Sequence, residues 1–214
     1  MSIRFGCLLA VPLALLVGCG KKTLALPADP IERAATCGVV AAATLRTAAG
    51  VKGDLSPEDQ GRIFHYPLLA ASEGGAYDPT KAGAVFKLQP QLADRITKGK
   101  WQELQPACAE AYPATVVKQP TLPAGQLDSA LQCYMTLDFM RKALADAGAS
   151  YAEASVKYGA IATHLDPKVS AALKSAGIKG NDAIQVRRKQ ALADAAKLGP
   201  PPAIIAACTE KYGA

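Results

Sequence analysis

Cysteine is the residue type in this sequence with the widest chemical range, since a thiol can act as a nucleophile, bind a metal or form a disulfide. The chain contains six cysteines. Four of them lie in the body of the chain: Cys37, Cys108, Cys133 and Cys208. No Cys-x-x-Cys pair occurs, and none of the residues next to these cysteines is a lysine, arginine or histidine that would favour a reactive thiolate. The pattern therefore favours disulfides over redox-active thiols.

Two segments one hundred positions apart share a sequence pattern. Residues 92–113 read LADRITKGKWQELQPACAEAYP, and residues 192–213 read LADAAKLGPPPAIIAACTEKYG. Without a gap, eight of the 22 positions are identical, including the Cys, Tyr, Asp and Gly. We interpret this similarity as an internal duplication. Each copy ends with the phrase Ala-Cys-x-Glu-x-Tyr, in which Cys and Tyr lie four residues apart and therefore on one helix face.

The two histidines and the single tryptophan are the remaining candidate functional residues. His65 lies in IFHYPLL and His164 in IATHLDP. Together with Asp166 they could in principle bind a metal, but they lie in different halves and do not correspond in the duplication, so we predict no metal site. We treat Trp101, His65 and His164 as candidate contact residues for a ligand or partner.

The motifs of the major enzyme classes do not occur in this sequence. It contains no Gly-x-Ser-x-Gly, Ser-x-x-Lys or His-Glu-x-x-His, and it has neither a phosphate-binding loop nor a calcium-binding loop. We predict no catalytic residue and no cofactor.

The first eighteen residues are typical of a secretory signal peptide. Arg4 precedes an apolar run from Phe5 to Val17. A helix of this length would reach about 20 Å, which is too short for the roughly 30 Å hydrocarbon core of a bilayer. The run ends at small residues, which is typical of the site at which such a signal is removed.

The end of this signal, Leu16-Val17-Gly18-Cys19, resembles the lipobox of bacterial lipoprotein precursors. The resemblance implies that residues 1–18 are removed, that Cys19 is acylated and inserts into membrane lipid, and that residues 19–29 form a tether. Because Gly20 follows Cys19 where an Asp would favour the inner membrane, it also implies the outer membrane of a Gram-negative-type cell envelope, facing the periplasm. Ordinary cleavage nearby, which would release a soluble periplasmic protein, is the alternative.

An exported chain enters an oxidising compartment, where an even number of inward-facing cysteines favours disulfides. Four cysteines allow three pairings. The duplication favours Cys37–Cys108 and Cys133–Cys208, which close loops of 71 and 75 positions. Each bridge would contribute roughly 4 kcal/mol in the loop-entropy description.

Alanine-rich composition, with aromatics at 6%, predicts an all-α protein. We expect two tandem, duplicated helical bundles, at residues 30–112 and 126–214, each with one disulfide between its first and last helices. Prolines and a glycine predict a linker at residues 113–125. The predicted helices follow Pro, Gly, Ser, Asp and Asn signals: 30–48, 57–72, 79–99, 101–112, 126–147, 150–164, 167–176, 182–198 and 202–212.

The net charge of +6 does not by itself indicate a nucleic-acid partner. In a helix, the longest basic run, Arg187-Arg188-Lys189, points in three directions, so we predict no nucleic-acid binding. We expect a non-catalytic cell-envelope module that binds an unknown partner or ligand in a groove between its two halves. The alternatives are an enzyme without a recognisable motif, such as a cell-wall hydrolase, and a small periplasmic chaperone or inhibitor.

Overall fold

The structure is a computed structural model that describes residues 25–213. Cys19 and the predicted signal peptide lie outside these residues. Within them the chain forms α-helices, three short 3₁₀ turns and no strand, so the all-α prediction is confirmed. The α-helices are α1 (Pro30–Ala49), α2 (Pro57–Ser72), α3 (Pro79–Thr97), α4 (Gln105–Ala111), α5 (Gln126–Ala147), α6 (Ala152–Ser175), α7 (Asn181–Leu198) and α8 (Pro201–Tyr212).

The first three helices begin in the same way, with a capping side chain followed by a proline. The capping residues are Asp29, Ser56 and Asp78. The Ser56 hydroxyl accepts a hydrogen bond from the backbone N–H of Asp59 at 3.1 Å, which satisfies one of the free donors at the start of α2. The following proline has no N–H to satisfy and its φ angle already suits a helix.

The prediction of separate helices at 150–164 and 167–176 was wrong, because α6 runs through Pro167. Proline removes one helical hydrogen bond and crowds the preceding turn, which normally breaks or kinks a helix. Here Leu165 and Val169, on either side of the proline, are both fully buried. Their burial on one helix face offsets the local cost and keeps the two halves of α6 continuous.

The two predicted disulfides are confirmed. Cys37 of α1 pairs with Cys108 of α4, and Cys133 of α5 pairs with Cys208 of α8, with Cα–Cα distances of 5.4 and 5.7 Å. All four residues are buried. Each bridge therefore joins the first and last helices of one half, as the duplication predicts.

The two halves are joined by a shared core, in which α2 is the central element. Phe64 and Leu68 of α2 belong to the same buried cluster as Leu137 of α5 and Ile204 of α8. From the other side of α2, Tyr66 packs in the core of the first half. One helix thus contributes to both cores. Without the second half, the residues of α2 that pack against it would lose their contacts.

Close approach of α2 to the second half depends on a glycine. A Cβ atom placed on Gly61 would lie 2.6 Å from Cε of Met140 in α5 and 2.7 Å from Cγ of Pro202 in α8. These distances are well inside van der Waals contact, so any other residue here would force the Met140 side chain and Pro202 to shift.

Polar contacts also join the halves. The hydroxyl of Tyr151 donates a hydrogen bond to the carbonyl oxygen of Leu55 at 3.1 Å, and the backbone N–H of Tyr77 donates one to the carbonyl oxygen of Lys189 at 3.0 Å. Both cross the boundary between the duplicated units. Among residues 25–213, no helix is long and apolar enough to cross a membrane.

Candidate functional site

His65 lies inside the protein, at the junction of the two halves. Its Nε2 atom lies 2.7 Å from the carbonyl oxygen of Ala196, near the end of α7. That carbonyl has no helical donor, because the residue four positions later is Pro200, which has no N–H. A carbonyl only accepts, so Nε2 carries the proton and donates.

The surroundings of the His65 ring keep it neutral. The side chain is fully buried, and this burial lowers its pKa from 6.5 to about 4, although the hydrogen bond to Ala196 acts in the opposite direction. Its Nδ1 atom has no hydrogen-bond partner among the described residues. Of the three candidate contact residues, His65 has no exposed surface in the folded chain. It is a link between α2 and α7.

The other two candidate contact residues lie elsewhere. His164 is exposed on α6. Trp101 is half-buried in a 3₁₀ turn and packs against the core of the first half. The structure does not bring these residues together with His65 in one site. Among residues 25–213, no group of three or more His, Cys, Asp or Glu side chains could hold a metal ion.

The Ala-Cys-x-Glu-x-Tyr phrase that ends each copy has a structural role in both halves. Tyr112 packs edge-on against Tyr66, with ring centroids 5.5 Å apart, whereas the hydroxyl of Tyr212 lies 2.5 Å from that of Ser129 in α5. Glu110 and Glu210 are exposed. The Cys and the Tyr of the phrase therefore attach the last helix of each half to the rest of that half.

Ser129, Lys211 and Tyr212 form a set of side chains that could suggest nucleophilic chemistry. The amino group of Lys211 donates a hydrogen bond to the Ser129 hydroxyl at 3.0 Å. A serine nucleophile needs access to its substrate, but Ser129 is fully buried. The arrangement instead fastens the end of α8 to the start of α5.

A groove with a volume of about 870 Å³ lies between the two halves. We call it the inter-half groove. This volume lies within the range of small-molecule sites, roughly 300–1,000 Å³. Its lining residues come from α2, the linker, α6 and α8: Glu58, Arg62, Thr115, Val116, Val117, Lys118, Lys157, Tyr158, Ile161, Pro200, Pro202, Ala203, Ile205, Ala206 and Thr209.

Apolar side chains make up much of the groove wall. Val117 of the linker faces the same cleft as Ile161 of α6 and Ile205 of α8. Val116 has 62% of its surface exposed, which is high for a large apolar side chain. An apolar wall shared by several elements is typical of a binding cleft.

The charged residues of the groove are unequally paired. Arg62 contacts the carboxylate of Glu58 at 2.9 Å, so these two charges largely cancel. Lys118 and Lys157 form no ion pair within the part of the chain that the structure describes. Tyr158 also lines the groove, where burial, and then the nearby Glu58, raise the pKa of its phenol and keep it neutral.

A smaller cleft of about 310 Å³ adjoins the groove on the side of the first half. Arg62, Thr115 and Val116 line both clefts. The smaller one continues to Val40 and Leu45 of α1. The two clefts therefore form one elongated surface that passes from α8 to α1 across the linker.

Comparison with protein-family models, with curated proteins and with solved structures found no match to this chain. The functional interpretation therefore rests on the residues of the inter-half groove. Sequence reasoning predicted a groove between the halves but named none of its residues. The available signal was the apolar pair Val116-Val117, which stands among prolines where a loop is normally polar.

Proposed function

We propose that this protein is a non-catalytic cell-envelope lipoprotein that binds a partner or ligand in the inter-half groove. The observation that carries the proposal is a groove of about 870 Å³ with an apolar wall and two unpaired lysines, built from both halves and the linker. Val116 adds exposed apolar surface to this wall, next to Val117 of the linker.

The distribution of reactive side chains favours binding over catalysis. A cell-wall hydrolase would need an acid and a base within reach of the same substrate atoms. Glu58 is the single carboxylate of the groove, and Arg62 contacts it at 2.9 Å. Neither histidine lines the groove.

Membrane attachment is the second part of the proposal. Acylated Cys19 would hold the protein at the membrane through residues 19–29. One acyl chain binds weakly and reversibly, whereas two or more make attachment stable. Lys21 and Lys22 would add about 1 kcal/mol each near anionic lipid. We expect the Cys19→Ser variant to lose metabolic labelling with palmitate and to leave the membrane fraction; a labelled, membrane-bound variant would refute the attachment.

The binding function is tested with a photo-crosslinking amino acid at Ala206, an exposed alanine of α8 within the groove. Ala171 is the matched control, because it is an exposed alanine of α6 that does not line the groove. After irradiation of intact envelopes, we expect a discrete adduct from position 206 and none from position 171. Equal capture at both positions, or none at either, would contradict the proposal.

A further inference from the structure

We infer that the occupant of the inter-half groove is an extended polypeptide segment that carries acidic and apolar side chains. This inference rests on the proposed function and adds the chemistry of the partner. The groove presents four charged residues, of which Glu58 and Arg62 neutralise each other. The remaining Lys118 and Lys157 leave a positive groove, which complements an acidic partner.

The main chain of the linker supports a polypeptide partner. After Val117, which is extended, the backbone N–H of Lys118, a residue of the groove, makes no backbone hydrogen bond within the described chain. Pro120 and Pro123 have no N–H and keep this stretch out of a helix. Unpaired main-chain groups beside an apolar wall suit an extended peptide, which can use its own main chain for affinity and its side chains for specificity.

The spread of polar groups along the groove disfavours an acyl chain as the occupant. Tyr158 contributes a hydroxyl from α6 and Thr209 contributes one from α8. A fatty acyl chain would leave these groups without partners and would cost their desolvation. A peptide can hydrogen-bond with them. The adjoining cleft at α1 lengthens the surface, which also suits an elongated segment.

The test uses the acylated full-length mature protein in detergent and a phage-displayed library of random twelve-residue peptides. We expect the enriched peptides to carry net negative charge together with apolar residues, and to crosslink to the photoreactive residue at position 206. The Lys118→Glu, Lys157→Glu double variant should bind them about tenfold more weakly, because it removes two ion pairs and introduces repulsion.

The matched control is the Lys174→Glu, Lys179→Glu double variant. Both lysines are exposed, lie outside the groove and change the net charge by the same amount. We expect its affinity for the enriched peptides to stay within about twofold of the parent. Enriched peptides that are neutral or basic, or that lose equal affinity in both double variants, would overturn the inference.

Two further outcomes separate this inference from the function on which it rests. In the first outcome, the photoreactive residue at position 206 crosslinks to lipid in vesicles containing phosphatidylglycerol, and no peptide is enriched. The occupant is then a lipid, so the polypeptide inference is wrong and the binding function stands. If position 206 captures nothing in intact envelopes and no peptide is enriched, both are wrong.

Discussion

Acidification should weaken the protein through His65. Its pKa is about 4 in the folded chain, against 6.5 for an ordinary histidine. Because the folded pKa is the lower one, the unfolded chain binds more protons between these values, so stability is complete above pH 6.5 and is lost as the pH falls toward 4. The full difference corresponds to about 3 kcal/mol. Between pH 7 and pH 5 the expected loss is about 2 kcal/mol.

The assay is urea unfolding with intact disulfides, at several pH values between 7 and 5, comparing three proteins. His65→Gln keeps an N–H donor but cannot titrate, so its free energy of unfolding should change little across this range. His164→Gln makes the same substitution at an exposed histidine of α6 and is the matched control. If His65→Gln loses as much stability as the parent between pH 7 and pH 5, the reasoning about the buried imidazole is refuted.

Denaturant unfolding tests three further features of the fold. Gly61→Ala should destabilise the protein by about 1–3 kcal/mol, whereas Gly83→Ala, at an exposed helical glycine with open space around it, should be neutral or stabilising by up to about 1 kcal/mol; equal effects would contradict the close approach of α2. Tyr151→Phe removes the hydrogen bond between the halves and should cost about 1 kcal/mol; an unchanged midpoint would mean that the bond contributes nothing. Replacing both Cys133 and Cys208 by Ser should cost about 2–5 kcal/mol, and an unchanged unfolding midpoint would contradict this.

Local features of the fold followed from the sequence. Alanine-rich composition predicted helices, and the caps at Ser56 and Asp78 predicted where α2 and α3 begin. The disulfide pairing followed from the duplication, because two copies of one unit are expected to join equivalent positions. In each of these cases the deciding information lies within one helix or one pair of repeats.

Features that depend on packing between distant helices did not follow from the sequence. Pro167 predicted a helix boundary, and the burial of Leu165 and Val169 overrode it. Pro200 leaves the carbonyl group of Ala196 without a helical donor, but nothing in the sequence identified His65 as the group that would donate to it. The sequence predicted that a groove lies between the halves. It could not predict which residues line the groove, because these depend on how α2 packs against α6 and α8.

The order of the disulfides along the chain has a consequence for biogenesis. Both cysteines of the first bridge precede both cysteines of the second along the chain, so a chain oxidised in the order of its sequence would make no wrong pair that must later be exchanged. The fold of the first unit is not complete at that point. Phe64 and Leu68 of α2 pack against residues of the second half, so their apolar surface stays uncovered until that half folds. The first unit is thus covalently closed early but completed late, and in that interval it presents a hydrophobic face that a chaperone can bind.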